Sequence, residues 1–457
     1  MTLGSLFDGS GGFPLAGSMC GIIPVWCSEV EPYPIAVTKS RFPDMIHLGD
    51  VSKVNGAEIA PVDIITFGSP CQDLSVAGKR AGLKHESNGD DETTRSGLFM
   101  EAIRIIKEMR EETNGRYPTF AIWENGPGAF SSNGGEDFRI VLQQLIKIVE
   151  PEAEMPPPDK NRWSYADAYL ADGWSIAYRT LDAQYWGVPQ RRRRIYLVAD
   201  FRGERATEIL FKREGLRGYF EKGGTPWEAT SEGAERSIGA YDRVAYSVEN
   251  HPADSRVNID DSGKCQTLTS RMGTGGGNVP MLLQGINGDV AGRQGAVYYS
   301  TENHTSESRD VVSYRQCGFS DYIEGEIGTL RAQGGDIGGE SENIVCEKRK
   351  SRYIVRRLTP TECARLQGFP DTWGHPDKKD DFTGDEYRFW MNVRNTHASI
   401  KGKQEKYYGK DQMLKWYNNL HTDSAEYKMW GNGIALPTAL YVMQGIAETK
   451  NTNNFEN

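Results

Sequence analysis

Val62-Asp63-Ile64-Ile65-Thr66-Phe67-Gly68-Ser69-Pro70-Cys71-Gln72 is the stretch on which the fold of this chain turns. Its first six residues form a short apolar run of the kind found in a buried parallel strand, and the thiol stands just past its end, behind a proline. In an open α/β sheet, that edge is where ligands bind and chemistry is done. A free cysteine taken alone is more often a small buried hydrophobe. Here Pro70 fixes φ and removes a donor, and Gln72, Asp73 and Ser75 make the loop polar, so the thiol is expected to point into a cleft. A neighbouring cation would raise its thiolate fraction, and Arg192 and Arg194 in the pattern Gln190-x-Arg192-x-Arg194 are candidates for that neighbour.

Working outward, Thr2 to Phe7, Pro24 to Cys27, Val62 to Phe67, Thr119 to Trp123 and Ile195 to Ala199 read as strands, with helical patterns between them. The clearest helix is Gly97 to Glu112, where Leu98, Ile105, Ile106 and Met109 recur at helical spacing among charged residues. Strands alternating with helices imply an α/β fold with a doubly wound parallel sheet. Phe7-Asp8-Gly9-Ser10-Gly11-Gly12-Phe13 follows the first strand, where glycines let backbone N–H groups approach a ligand and a helix N-terminus faces it. It is not G-x-G-x-x-G, which weighs against a nicotinamide site. Glu29 ends the second strand, suitably placed to accept from two ribose hydroxyls, and Asp50 follows the third, where it could accept from an adenine amino group. Glu124-Asn125 closes the strand after Cys71, which puts a carboxyl at the same sheet edge as the thiol.

Taken in order, the glycine loop, Gly68-Ser69-Pro70-Cys71-Gln72, Glu124-Asn125, Gln190-x-Arg192-x-Arg194 and Gly431-Asn432-Gly433 resemble the DNA (cytosine-5) methyltransferase family of bacterial and phage modification systems. Arg95-Ser96-Gly97-Leu98-Phe99 and the run from Leu358 to Pro370 are similar to further family segments. Gly126 stands where the family often has valine, and Gly433 replaces a common serine. The resemblance implies a Rossmann-like S-adenosylmethionine-dependent lobe with a mixed, mostly parallel sheet, plus a smaller loop-rich, β-containing target-recognition lobe. It implies methyl transfer from S-adenosylmethionine, with S-adenosylhomocysteine as product, to C5 of a cytosine flipped out of double-stranded DNA. Cys71 would add to C6, and Glu124 would hold N3 and the 4-amino group, with Arg192 and Arg194 completing the catalytic set. Cofactor contacts would come from Phe7, Asp8, Gly9, Ser10, Gly11, Gly12, Glu29, Asp50, Val51, Pro70 and Asn432. Candidate DNA contacts are Gln72, Ser75, Arg80, Gln190, Thr267, Thr329 and Arg356. No metal is expected. A cognate restriction endonuclease is a candidate partner, and the chain is expected to act as a monomer on DNA.

The organisation expected is a catalytic and cofactor-binding lobe over 1–200, a recognition lobe over 201–352, a returning helix over 353–370, an insertion of unread role over 371–428, and a segment over 429–457 that completes the catalytic lobe. The recognition lobe carries an internal echo. Glu249-Asn250-His251 recurs as Glu302-Asn303-His304, and Thr267-Leu268 as Thr329-Leu330, each Thr-Leu pair followed by glycines and an Asn-Val or Asn-Ile pair. The simplest account is a duplicated unit, 249–279 and 302–345, with about nine residues inserted in the second copy. Among 51 glycines in 457 residues, a cluster lies between Gly273 and Gly339, as a loop-rich module would have.

The net charge of −10 weighs against nucleic acid, but Arg191 to Arg194 and six cations between Lys348 and Arg357 give local basic stretches for phosphate. Seven cysteines without Cys-x-x-Cys spacing give no zinc pattern and read as reduced thiols. With neither a signal peptide nor a long apolar run, a cytoplasmic, non-membrane protein is expected. Three alternatives stay open: methylation of a tRNA cytosine, which the large variable lobe disfavours; a silent DNA-binding protein; and, remotely, a dehydrogenase.

Overall fold

The strand ending at Phe67 lies in the middle of a sheet, and its burial follows from alternation. Ile64 joins a hydrophobic cluster on one face and Ile65 and Phe67 one on the other. In the neighbouring strand Phe120 and Ile122 go to the first face, Ala121 and Trp123 to the second. The structure, a computed structural model, describes residues 1–69, 97–158, 162–211, 246–250, 257–260, 264–274, 279–286, 297–299, 311–317, 321–324, 343–347 and 352–452.

In chain order the first lobe runs β1 (Thr2–Leu6), α1 (Gly12–Met19), β2 (Ile23–Ser28), α2 (Pro32–Arg41), β3 (Ile46–His47), β4 (Ile64–Phe67), α3 (Gly97–Glu112), β5 (Phe120–Asn125), α4 (Glu136–Ile146), β6 (Ala166–Ala171), β7 (Trp174–Asp182), β8 (Arg193–Asp200) and α5 (Ala206–Phe211). The eight strands lie in the order β3-β2-β1-β4-β5-β8-β7-β6. The first five pair in parallel, β8 runs antiparallel to β5, and β6 and β7 close the far edge as a hairpin. Helices α3 and α4 cover one face. The sheet is therefore mixed and mostly parallel, as expected, with helices on both sides.

After α5 come eight short strands, β9 (Tyr246–Asn250), β10 (Val257–Asp260), β11 (Met281–Ile286), β12 (Val297–Tyr299), β13 (Val311–Cys317), β14 (Asp321–Glu324), β15 (Asn343–Glu347) and β16 (Arg352–Arg357). They make a five-stranded sheet, β10-β9-β11-β16-β12, and a three-stranded one, β14-β13-β15. The chain then returns through α6 (Pro360–Gln367), α7 (Gly384–Ile400), α8 (Lys410–Asn418), α9 (Asp423–Asn432) and α10 (Leu436–Thr452). Helix α10 packs with α1 and α5 on the face of the sheet opposite α3.

Three boundaries fall elsewhere than the sequence suggests. Helix α5 packs on β7, so the first lobe extends past residue 200 to 211. Strand β16 pairs with β11 and β12, so the second lobe's five-stranded sheet runs to Arg357 instead of stopping at 352. Position 428 lies inside α9. The insertion is helical: Phe382, Trp390, Val393, Met413 and Tyr417 bury against Ile35 and Ala36 of α2.

Candidate active site

At one end of the parallel strands the backbone of the glycine loop turns sharply. Phe7, Gly9 and Gly11 have φ of 56°, 56° and 75°. Positive φ costs a bulky residue such as Phe7 free energy, a recurrent feature of functional loops. Asp8 N donates to Ser28 O at 3.1 Å, fixing the loop to β2. Glu29 is held by three backbone donors: Gly9 N to Oε2 at 2.8 Å, and Val30 N and Glu31 N to Oε1 at 2.8 and 2.9 Å. Burial still raises its pKa against those hydrogen bonds. Burial likewise lifts Asp8 to about 7, opposed by the hydrogen bond from Ser5 and helped by the charge of Glu29.

The loop is braced from the far end of the chain. Trp373 Nε1 donates to Ser10 O at 2.8 Å, and a Cβ on Gly12 would stand 2.5 Å from Ile434. Asn432 is exposed beside this brace. Asp50 caps the turn at Val51–Lys53, its Oδ1 accepting from Ser52 N at 3.0 Å, with Val51 buried beneath. Among the described residues Asp8 Oδ2 and Ser10 Oγ are buried with no nitrogen or oxygen partner, although the Cys27 thiol lies against the Asp8 carboxyl. Unpaired buried polar atoms are costly, and two of them beside a strained glycine loop fit a polar ligand.

The second half of the site lies at the ends of β4, β5 and β8. Asn125 Nδ2 donates to Ser69 O at 2.6 Å and Trp123 Nε1 to Ser69 Oγ at 3.4 Å, so the chain entering the Cys71 loop is stitched to the strand that carries Glu124. A Cβ on Gly68 would lie 3.2 Å from Glu124 Oε2. Glu124 is buried, and burial raises its pKa against the opposing charges of Arg194 and Arg192. Arg194 Nε stands 3.1 Å from Glu124 Oε1, without the alignment of a hydrogen bond, and that oxygen has no other partner among the described residues. A buried carboxyl with a raised pKa and an unsatisfied oxygen is arranged to give or share a proton. An open cavity of about 440 Å³ adjoins it, walled by Pro127, Tyr185, Arg191, Arg193, Arg194 and Thr267 among others.

Arg192 does something else. Its Nη1 donates to Leu268 O at 3.0 Å and its Nη2 to Gly433 O, while its backbone N donates to Asp182 Oδ1 at 3.0 Å. It ties the recognition lobe and the C-terminal segment to β8, and its burial lowers its pKa to about 9. Gln190, expected to touch DNA, is fully buried, where it bridges to Cys265. Thr267 is half-buried, and its hydroxyl donates to Arg191 O. Cys71, Pro70, Gln72, Ser75, Arg80 and Thr329 lie outside the described residues, and Arg356 is described only as backbone in β16, opposite Leu282. Sequence reasoning missed Asp182, Trp373 and the Asn125–Ser69 link; only Asn125, beside Glu124 in the quoted motif, carried a signal.

Among the described residues one group has metal-ligand spacing: His375, His421 and Glu426, with ligand atoms within 4.8 Å of one another, at the foot of the insertion. Glu426 is already satisfied, by His421 Nε2 at 2.8 Å and Trp430 Nε1 at 3.1 Å.

The sequence model of the family described as C-5 cytosine-specific DNA methylase matches residues 1–148 and 166–390. The chain belongs to that family. Among its relatives, the DNA N-6-adenine-methyltransferase of Escherichia phage P1 is 29% identical over 96% of this chain and 60% of that protein. Type II methyltransferase M.BsuFI of Bacillus subtilis is 28% identical over 43% of this chain and 39% of that one. The chain thus spans less than two thirds of either relative. A crystal structure of S. pombe Dnmt2 methyltransferase aligns over 99% of both chains at 13% identity, with a TM-score of 0.47. No helix among the described residues is long and apolar enough to cross a membrane.

Proposed function

We propose that this protein transfers a methyl group from S-adenosylmethionine to C5 of a cytosine in double-stranded DNA. The observation that carries the reading is Glu124: a buried carboxyl with a raised pKa, facing the chain segment that leads to Cys71, in a member of the cytosine-specific family. Phe7 to Gly12, Glu29, Asp50, Val51, Pro70 and Asn432 are the residues proposed to hold the cofactor. Asp8 Oδ2 and Ser10 Oγ offer it unpaired polar atoms. When bound, S-adenosylmethionine supplies an electrophilic methyl group.

The chain's own residues prepare the cytosine. Cys71 adds as thiolate to C6 while the Glu124 carboxyl gives its proton to N3, so the electron pair of the C5–C6 bond becomes available at C5. Once C5 carries the methyl group, its proton leaves to a base, the Cys71–C6 bond breaks, and Glu124 recovers the N3 proton. Arg194 steadies the ionised form of Glu124, and Arg192 is proposed as a positioning residue, since its guanidinium is engaged by backbone carbonyls. DNA would approach over the cavity lined by Arg191, Arg193 and Arg194.

The phage P1 relative is named for methylation of adenine N6. An exocyclic amine attacks the methyl group directly and needs no thiol adduct, so residues 68–72 and Glu124 of this chain favour cytosine. The test is expression in a host lacking DNA methylation, followed by nucleoside mass spectrometry. The expected product is 5-methylcytosine, absent with Cys71→Ala; N6-methyladenine alone, or 5-methylcytosine persisting in that variant, would overturn the reading.

A further inference from the structure

His375, His421 and Glu426 bring two imidazoles and one carboxylate together at the foot of the insertion, although 46 positions separate the first two and five the last two. No local spacing announces such a set; packing makes it. Glu426 lies in the first turn of α9 and is 1% exposed, and its Oε1 is held by Trp430 Nε1 at 3.1 Å. His421, just before the helix, lies flat on Tyr33 of α2, with ring centroids 5.8 Å apart and planes 5° from parallel. Its Nε2 stands 2.8 Å from Glu426 Oε2, and the His375 ring comes within 4.9 Å of its own, centroid to centroid.

The backbone that carries His375 is equally fixed. Tyr33 Oη donates to Gly374 O at 2.5 Å, Arg41 Nη2 to His375 O at 3.0 Å, and His375 N to Thr372 O at 3.1 Å. A Cβ on Gly374 would stand 2.6 Å from Glu426 Oε1, so the turn lies close against the carboxylate. The inner side of the group is therefore built by α2, this turn and α9, while the two histidines are exposed and reachable from solvent.

A hydrogen bond with His421 accounts for one carboxylate oxygen but not for the second imidazole, which makes no hydrogen bond among the described residues. Two imidazole nitrogens and a carboxylate oxygen are the donor set of a zinc-class site with one position left to water. The ligand atoms lie within 4.8 Å of one another. A tetrahedral ion with bonds of about 2.0–2.2 Å needs them roughly 3.3–3.5 Å apart, a difference that turning the exposed His375 ring supplies. Entry of the ion displaces the proton shared by His421 Nε2 and Glu426 Oε2, which leaves to solvent, while Trp430 keeps its bond to Oε1 and orients the carboxylate.

We propose that His375, His421 and Glu426 bind one zinc-class divalent cation that fastens the turn over residues 371–375 to α9. Trp373 in that turn holds Ser10 O, so the ion braces the glycine loop from the side of the insertion. The proposal does not depend on the methyltransferase reading. The full chain is freed of metal with a chelator and titrated with Co(II) and with zinc, followed by visible absorption, by metal content after dialysis and by melting temperature. One equivalent is expected, with the d–d bands of a four-coordinate cobalt site and no sulfur-to-cobalt charge transfer. Zinc at a hundredfold excess over its dissociation constant is expected to raise the melting temperature by about 2–4 °C. His375→Ala removes an exposed ring and is expected to weaken binding roughly tenfold or more and to abolish the zinc-induced rise. His421→Ala is expected to do the same, its metal-free melting temperature reporting the lost contact with Tyr33 separately. No ion retained at stoichiometric level, sulfur ligation of the cobalt, or affinity unchanged in both histidine variants would overturn the proposal.

Discussion

Glu124 and Asp8 are both buried carboxyls raised by desolvation, and they lead to different experiments. Glu124 keeps its proton to higher pH than an exposed glutamate, which suits it to protonate N3. Glu124→Gln is expected to lower single-turnover methyl transfer by about 10²-fold while leaving DNA binding within a few-fold; an undiminished rate would remove Glu124 from the chemistry. Asp8 moves from 3.8 to about 7 on folding, so its contribution to stability is full below about pH 4 and is lost as pH rises through about 7. Asp8→Asn keeps an acceptor for Ser5 and removes the titration. The melting temperature of the variant is expected to fall less than that of the parent between about pH 5 and pH 8; parallel curves would contradict the assignment. At this scale the position of Glu124 near the end of β5 was legible in the sequence, because its motif closes an apolar strand, whereas Cys71 lies outside the described residues. Gln190 stands in the motif that puts Arg194 at the reaction edge, but its backbone bridges to Cys265 and its side chain is buried, which the motif alone does not announce.

The elements that were legible were those with strong local codes. Helix α3 has the bounds that its apolar spacing gives, and Thr359 and Glu362 form the capping box that opens α6. Hairpin β6–β7 was missed: β6 is an edge strand with no fully buried residue, and its signal, Asp172-Gly173 with φ of 83° at the glycine, is only two residues long. The joint between lobes depends on contacts that no local pattern announces. A Cβ at Gly431 would stand 2.2 Å from the carbonyl carbon of Thr269, so only glycine lets the end of α9 lie against the recognition lobe. Gly431→Ala is expected to cost about 1–3 kcal/mol in denaturant unfolding and to weaken DNA discrimination; an unchanged midpoint would show that the backbone yields freely. Trp390, fully buried between α2 and the insertion, gives a second check. Trp390→Ala is expected to cost about 3–5 kcal/mol, and a loss under 1 kcal/mol would mean that the insertion is not fastened to α2 through this cluster.

At the scale of the whole molecule, the chain is a doubly wound sheet whose last segments return past the second lobe to brace the glycine loop. That return was readable in outline, because Gly431-Asn432-Gly433 resembles a family segment, but its mechanical form was not: Trp373 on Ser10, Ile434 on Gly12 and Arg192 on Gly433 join residues hundreds of positions apart. The sequence did not announce the two sheets of residues 246–357, since strand pairing between short polar segments is set by distant partners. The central claim, a covalent path through Cys71, is tested most directly by a duplex of the mapped context with fluorine at C5 of the target cytosine. Fluorine cannot leave as the proton does, so the adduct should persist. With S-adenosylmethionine present, mass spectrometry is expected to find the DNA strand joined to the peptide that contains Cys71, and no adduct with Cys71→Ala. Methyl transfer to the natural duplex with no adduct on the fluorinated one, or an adduct on another cysteine, would contradict the account.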